Sequence, residues 1–205
     1  MRARLISMKL KDKILMFFVS IMAVLVVVLT VFSALGFRRF SIYNTERHAR
    51  SVADTVKVGL TESMINGTID KRQQFLTRLS SVAGVKQVRV TRGPAVISQF
   101  GPGLPGAAAA NDDIRAALAS GKEVFTIVEV DDDLIFHAVI PYVATDHGEP
   151  NCLQCHQVGA GTVLGAVSID ISLAEVRRQG IFAVIIVSLA VFAVALGALA
   201  LLRRM

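Results

Sequence analysis

Two long runs without a single charge decide what this chain can fold into. The first extends from Ile14 to Phe37, 24 residues, and the second from Ile181 to Leu202, 22 residues. As α-helices they would reach ~33–36 Å, enough to cross a bilayer core of ~30 Å. A helix buried in a soluble core is the competing reading, but such a helix rarely runs this far without a polar face. The first run could also be a signal peptide, since Arg2, Arg4, Lys9, Lys11 and Lys13 form a basic leader. Its apolar part is much longer than the usual ~7–15 residues and no clear small-residue cleavage site follows. An uncleaved anchor is therefore expected.

Two spans organise the rest. Residues 1–13 form a basic N-terminus, 14–37 the first transmembrane helix, 38–180 a single domain between the spans, 181–202 the second helix and 203–205 the C-terminus. The basic leader and Arg203–Arg204 favour cytoplasmic termini, although Arg38–Arg39 and Arg177–Arg178 flank the opposite ends. The net charge of +6 is mostly juxtamembrane. The central domain has no basic stripe with interleaved aromatics, so no nucleic-acid partner is expected.

Within the central domain, Ala49, Val52, Ala53, Val56, Leu60 and Met64 recur at helical spacing and predict a helix continuing from the first span to Asn66-Gly67. A second helix is expected from Ile69 to Ala83. Val85–Val90 reads as a strand, and Arg92-Gly93-Pro94 as a turn into a short partner strand, Ala95–Gln99. Residues 101–110 read as a loop. Asn111 or Asp112 is placed to cap a helix that Gly121 ends. Lys122–Val130 and Leu134–Val143 are expected strands around a solvated acidic turn, Asp131-Asp132-Asp133. A polar loop over 144–161 leads to a last strand, Thr162–Ile171, and Ser172 is a candidate cap for the helix that follows. The sum is an α+β domain with an antiparallel sheet of about five strands.

The only two cysteines fall in Cys152-Leu153-Gln154-Cys155-His156. Cys-x-x-Cys-His is the attachment signature of c-type haem. Two thiols at this spacing reach the two vinyl groups on one porphyrin edge, and the adjacent imidazole falls beneath the iron as proximal ligand. Three rival readings stay open. A redox Cys-x-x-Cys would open a helix after a strand, a zinc site would recruit His137 and His147 to a Cys2His2 set, and the thiols could form a disulfide. Attachment of haem takes place outside the cytoplasm, which would place residues 38–180 in the periplasm of a bacterium. The sixth ligand would be Met64, His137 or nothing; His147 and His48 read as solvated. No acid–base or nucleophile constellation stands beside the motif, so no enzyme activity is expected.

The long helix, the segment SMINGTIDKRQQFLTRLSSVAGVKQVRV (63–90) and the segment CLQCHQVGAGTVLGAVSIDISLAEV (152–176) resemble the periplasmic sensor domains of bacterial chemoreceptors and sensor histidine kinases. The resemblance implies a PAS-like or Cache-like fold, one covalent haem c, dimers and a methionine distal ligand, here Met64. It implies a sensor of redox state or of a small gas, signalling through its transmembrane helices in the bacterial inner membrane. Such receptors continue into a cytoplasmic output domain, whereas this sequence ends at Met205. A separate signalling or redox partner is the corresponding expectation. The alternative is a membrane-anchored monohaem cytochrome that carries electrons.

Overall fold

The computed structural model describes residues 10–103, 111–131, 133–148 and 151–204. Arg2, Arg4 and Lys9 of the basic leader, the 104–110 part of the expected loop, Asp132 and Met205 lie outside the described residues. In chain order the elements are α1 (Leu10–Ile65), a 3-10 turn (Ile69–Lys71), α2 (Arg72–Leu79), β1 (Val85–Arg92), α3 (Pro94–Phe100) and α4 (Asp112–Ser120). Then come β2 (Val124–Val130), β3 (Asp133–Val143), a 3-10 turn (Cys152–Gln154), β4 (Val163–Ser172) and α5 (Ala174–Arg204). The chain divides into two compact units, one of Met1–Ile42 with Val176–Met205, the other Tyr43–Glu175.

The first unit is built from apolar helix. Two helices, Met16–Ile65 and Ala174–Gly197, are long and apolar enough to cross a membrane. Their large side chains, among them Phe17, Phe32, Ile186 and Phe192, are exposed rather than packed. Among the described residues, two points of contact join the pair. Thr30 Oγ1 and Ser188 Oγ lie 3.4 Å apart, and the Phe37 ring rests on Gly180, where a Cβ would come within 2.5 Å of it. Small residues that admit close approach, and hydroxyls that bond across, are the usual means of joining helices in an apolar medium.

The second unit is α+β. Its four strands form an antiparallel sheet in the order β1-β4-β3-β2. The sheet has four strands rather than about five, because the expected strand Ala95–Gln99 is helix α3. The turn residues Arg92-Gly93-Pro94 and the apolar run that follows suit a short strand, but Pro94 takes the first helical position, where its missing N–H costs nothing. Gly93 is the extended N-cap before it, and its amide bonds to the Leu164 carbonyl at 2.7 Å. Helix α2 also ends at Leu79, short of Ala83; tight turns carry the chain to Gly84, which has φ +82°.

Pairing register sorts the side chains. The row Val88–Ile169–Ala138–Phe125 lies on one face, and the row Gln87–Asp170–His137–Thr126 on the other. The C-terminal half of α1 covers the first face. Ala49, Val52, Ala53, Val56 and Leu60 are buried in one stripe. The Arg50 guanidinium lies 5.0 Å from the Phe125 ring centroid and pairs with Glu123 through two bonds of 3.2 and 3.0 Å. Phe125 in turn stacks on Phe136. Helix α2 docks on α1 where Phe75 covers Gly59, leaving no room for a Cβ.

Helix α4 covers part of the second face, packing Ile114 and Ala117 on Val139 and Ala166. Its cap is Asn111, whose Oδ1 accepts the Ile114 N–H at 2.9 Å, and Gly121 closes it in the left-handed conformation. The Asn111 amide also donates to His137 Nε2 at 3.2 Å, while His137 Nδ1 donates to Asp170 Oδ1 at 2.5 Å. Both nitrogens of this buried imidazole are thereby satisfied, as burial requires. Asp131, with φ +50°, turns β2 into β3, and Ser172 Oγ accepts the Ala174 N–H at the start of α5.

At Gly165 the β1 backbone comes so close that a Cβ would stand 2.5 Å from the Thr91 carbonyl oxygen, whereas at Gly159 nothing lies within 4 Å. Gly165→Ala is expected to destabilise the protein by roughly 1–3 kcal/mol, the cost of overpacking against backbone. Gly159→Ala should stay within about 0.5 kcal/mol of wild type. Thermal melts of the detergent-solubilised full chain compare the two; equal melting temperatures would refute the close-packing argument.

Candidate functional site

The Cys-x-x-Cys-His segment sits in the loop between β3 and β4, and the loop is fastened at its base. The Ala144 N–H donates to the Thr162 carbonyl at 2.8 Å, and the Gly161 N–H to the Ala144 carbonyl at 2.9 Å. Inside this neck the Asn151 side chain caps a single 3-10 turn by accepting the Gln154 N–H at 3.1 Å. The Cys152 carbonyl then accepts both the Cys155 N–H, at 3.4 Å, and the His156 N–H, at 3.0 Å. That tight turn keeps His156 adjacent to the two cysteines along the chain. Both thiols are free; Cys152 is half-buried and Cys155 exposed.

Helix α3, absent from the sequence-based expectation, holds the loop from outside. Gln99 Oε1 accepts the Gln157 N–H at 2.9 Å, and Gln99 Nε2 donates to the Gln157 carbonyl at 3.3 Å. One residue on, the Phe100 ring meets the His156 ring edge to face, centroids 5.3 Å apart. Val96 completes the contact in a small core with Ala144 and Leu164, against which Cys152, Leu153 and Val158 pack. No sequence signal links Gln99 to Gln157 across the 58 residues that separate them.

Cys152, Cys155, His156 and Met64 all line one cleft of about 1610 Å³ in this unit, larger than the roughly 300–1,000 Å³ of an ordinary ligand pocket. Met64 departs from its expected place in the packed stripe. The stripe stops at Leu60, and Met64 is 42% exposed near the end of α1, which stops at Ile65. Its thioether therefore borders the cleft rather than filling the core. Tyr142 joins this end of α1 to the loop: its hydroxyl lies 2.8 Å from Thr61 Oγ1, and its ring packs on the core that includes Cys152. Burial pushes the Tyr142 phenol up, with the Thr61 bond opposing.

His137 and His147 also line the cleft but have side-chain partners of their own. His137 is buried between Asp170 and Asn111, and exposed His147 pairs with Asp146 at 3.0 Å. Among the described residues no three His, Cys, Asp or Glu side chains gather as a metal-holding group, so the Cys2His2 set is not assembled.

His156 Nδ1 is buried and, among the described residues, has no hydrogen-bond partner. An orphaned polar atom of this kind costs about 1–3 kcal/mol unless a ligand satisfies the ring. Burial also holds the imidazole below its ordinary value, which keeps it neutral and its lone pair available for a metal near pH 7. Two thiols, a neutral imidazole, the Phe100 ring and a thioether on one large cleft fit a covalently attached haem. They fit a tetrahedral metal poorly. The chain matches no protein-family model and no curated protein, so these residues must carry the functional argument themselves.

Two outcomes follow. Gln99→Ala removes both bonds to Gln157 and is expected to cost about 1–2 kcal/mol, read as a lower melting temperature. It should also speed alkylation of Cys152 in chain produced without an attached group; unchanged alkylation would show that α3 does not hold the loop. The second concerns pH. Since folding depresses the His156 pKa, the unfolded chain binds more protons as pH falls through about 6.5. Stability of the same chain should fall over that window and be level above it with respect to this group. The slope should be shallower in His156→Phe, and an identical slope would contradict the assignment.

Proposed function

We propose that the protein is a membrane-anchored c-type haem sensor, with thioether links from Cys152 and Cys155 and with His156 as proximal iron ligand. The observation that carries this reading is the Cys-x-x-Cys-His turn opening on a large cleft with one imidazole nitrogen buried and unpaired. When bound, the haem would supply an iron centre whose oxidation state and sixth position respond to redox conditions or to a small gas. The protein's own residues set the conditions. Phe100 and the Val96 core shield the imidazole from water, and the Gln99 bonds fix the segment that carries it.

In this reading Met64 is the distal ligand. It lies on a helix continuous from Leu10, so a change at position 64 would act on the element that also carries the first span. A switch needs two states with different affinity for the signal, and binding or release of Met64 would supply them. The two long apolar helices support placement in a membrane. Attachment of haem outside the cytoplasm would then make residues 38–180 periplasmic and both termini cytoplasmic, in the inner membrane of a bacterium. A PAS-like or Cache-like assignment, a homodimer and a separate signalling partner belong to the same proposal.

An electron carrier is the second reading. It is favoured by the exposure of Cys155, which would leave one edge of the group open to a redox partner.

The deciding experiment is the mass and absorption spectrum of the protein produced with haem-attachment machinery. One haem per chain, lost in Cys152→Ala/Cys155→Ala, is expected. Met64→Ala should convert the spectrum from low spin to high spin or to exogenous-ligand binding. An unchanged spectrum would reject Met64, and a mass without haem would reject the whole reading. Carbon monoxide binding accompanied by a change in helix spacing would favour the sensor over the carrier.

A further inference from the structure

Arg72 and Arg92 are the two arginines of the cleft that form no salt bridge among the described residues. Both line it together with His156 and Met64, and both are half-buried. The other arginine there, Arg89, is paired with Asp170 at 3.4 Å. Arg72 and Arg92 are held instead by backbone. Arg72 Nη1 donates to the Ile69 carbonyl at 2.9 Å. Arg92 Nη1 donates to the Phe100 and Gly101 carbonyls, each at 2.8 Å. Gly103 packs on the Arg92 stem, where a Cβ would stand 3.3 Å from Cδ. A guanidinium has five N–H donors, so each arginine keeps donors free while its position is fixed.

The two charges also oppose one another. Arg72 is held below its ordinary value by burial first and by the charge of Arg92 second, with Asp70 offsetting in part. Two like charges brought close, partly desolvated and without a carboxylate bridge, are an arrangement that an anion relieves. Planar guanidinium groups match carboxylate in particular.

We propose that Arg72 and Arg92 form a carboxylate-binding pair in the cleft. Two sources present that chemistry. One is the pair of propionates that haem carries on the edge away from its vinyl groups, and this source rests on the haem reading above. The other is a free dicarboxylate. Position favours the first, because Arg92 is bonded to the carbonyl of the residue whose ring touches His156.

The test uses the full chain and begins with its mass, which settles whether haem is attached before the arginines are judged. With haem present, Arg72→Gln and Arg92→Gln should each move the midpoint potential lower, since an unneutralised carboxylate favours the oxidised iron. Arg72→Lys and Arg92→Lys should return it towards wild type, and Arg78→Gln, an exposed control on α2, should leave it in place. Succinate titrated against the melting temperature reports the second source. Stabilisation of wild type that weakens at least tenfold in apparent affinity in both glutamine variants assigns the pair to a free dicarboxylate. If the protein carries no haem, this titration alone decides the pair. The proposal is overturned if neither potential nor succinate response differs from wild type, or if Arg78→Gln shifts the potential equally.

Discussion

The backbones of β1 and β4 meet with no side chain between them, at Gly93 and Gly165, and the arrangement of the cleft depends on that contact. The Gly93 N–H reaches the Leu164 carbonyl at 2.7 Å, and Gly165 faces the Thr91 carbonyl. A bulkier residue at either point would push the end of β1 outward. Because β1 ends here, α3 starts directly beside β4, and Val96 reaches Leu164. Gln99 and Phe100 then arrive at the loop, and Arg92 is turned back onto the α3 C-terminus. Four functionally relevant side chains are thus placed by two glycines.

The sheet separates two kinds of work. The face under α1 is apolar and aromatic, and its stability comes from burial of Phe136, Val167 and Ile169 against the long helix, with half-buried Phe125 stacked on Phe136. The opposite face carries a polar row whose buried imidazole is answered on both nitrogens, while Ser168 Oγ on that face is buried without a partner among the described residues. His137, Asp170 and Asn111 answer one another, and Asn111 serves twice, as helix cap and as the amide for the imidazole. This network explains why a histidine in mid-strand is structural, although a histidine in a chain with so few of them invites a reading as a ligand.

Much of the architecture was legible in local pattern. Helix α1 follows from its repeating stripe, α4 from Asn111 and Gly121, and the three strands after residue 120 from alternation and turn residues. What escaped was decided by distant partners. PAVISQF is a plausible short strand after the Arg92-Gly93-Pro94 turn, and the contact of Gly93 with β4, together with Pro94, makes it a helix. The motif itself was visible because its chemistry is compressed into five residues. Its support was not, since Gln99, Phe100 and Tyr142 carry no mark of their proximity to residues 152–158. Met64 was identified by position, yet its exposure depends on where the packing of α1 against the sheet gives out.

The grip of Gln99 on Gln157 has a further consequence. The Gln99 amide meets both the N–H and the carbonyl of Gln157, as the peptide of an adjoining strand would, while Nε2 also donates to the Ala95 carbonyl at 3.1 Å within α3. Among the described residues, the segment beyond the neck is held by this side chain together with apolar contacts to Val96, Phe100, Ala144 and Leu164. Releasing it requires no strand to separate. Segments bound by few contacts open locally at far lower free energy than the core. If haem is attached as proposed, opening of this segment alone, with the sheet closed, would give the thiols access to a bulky planar group.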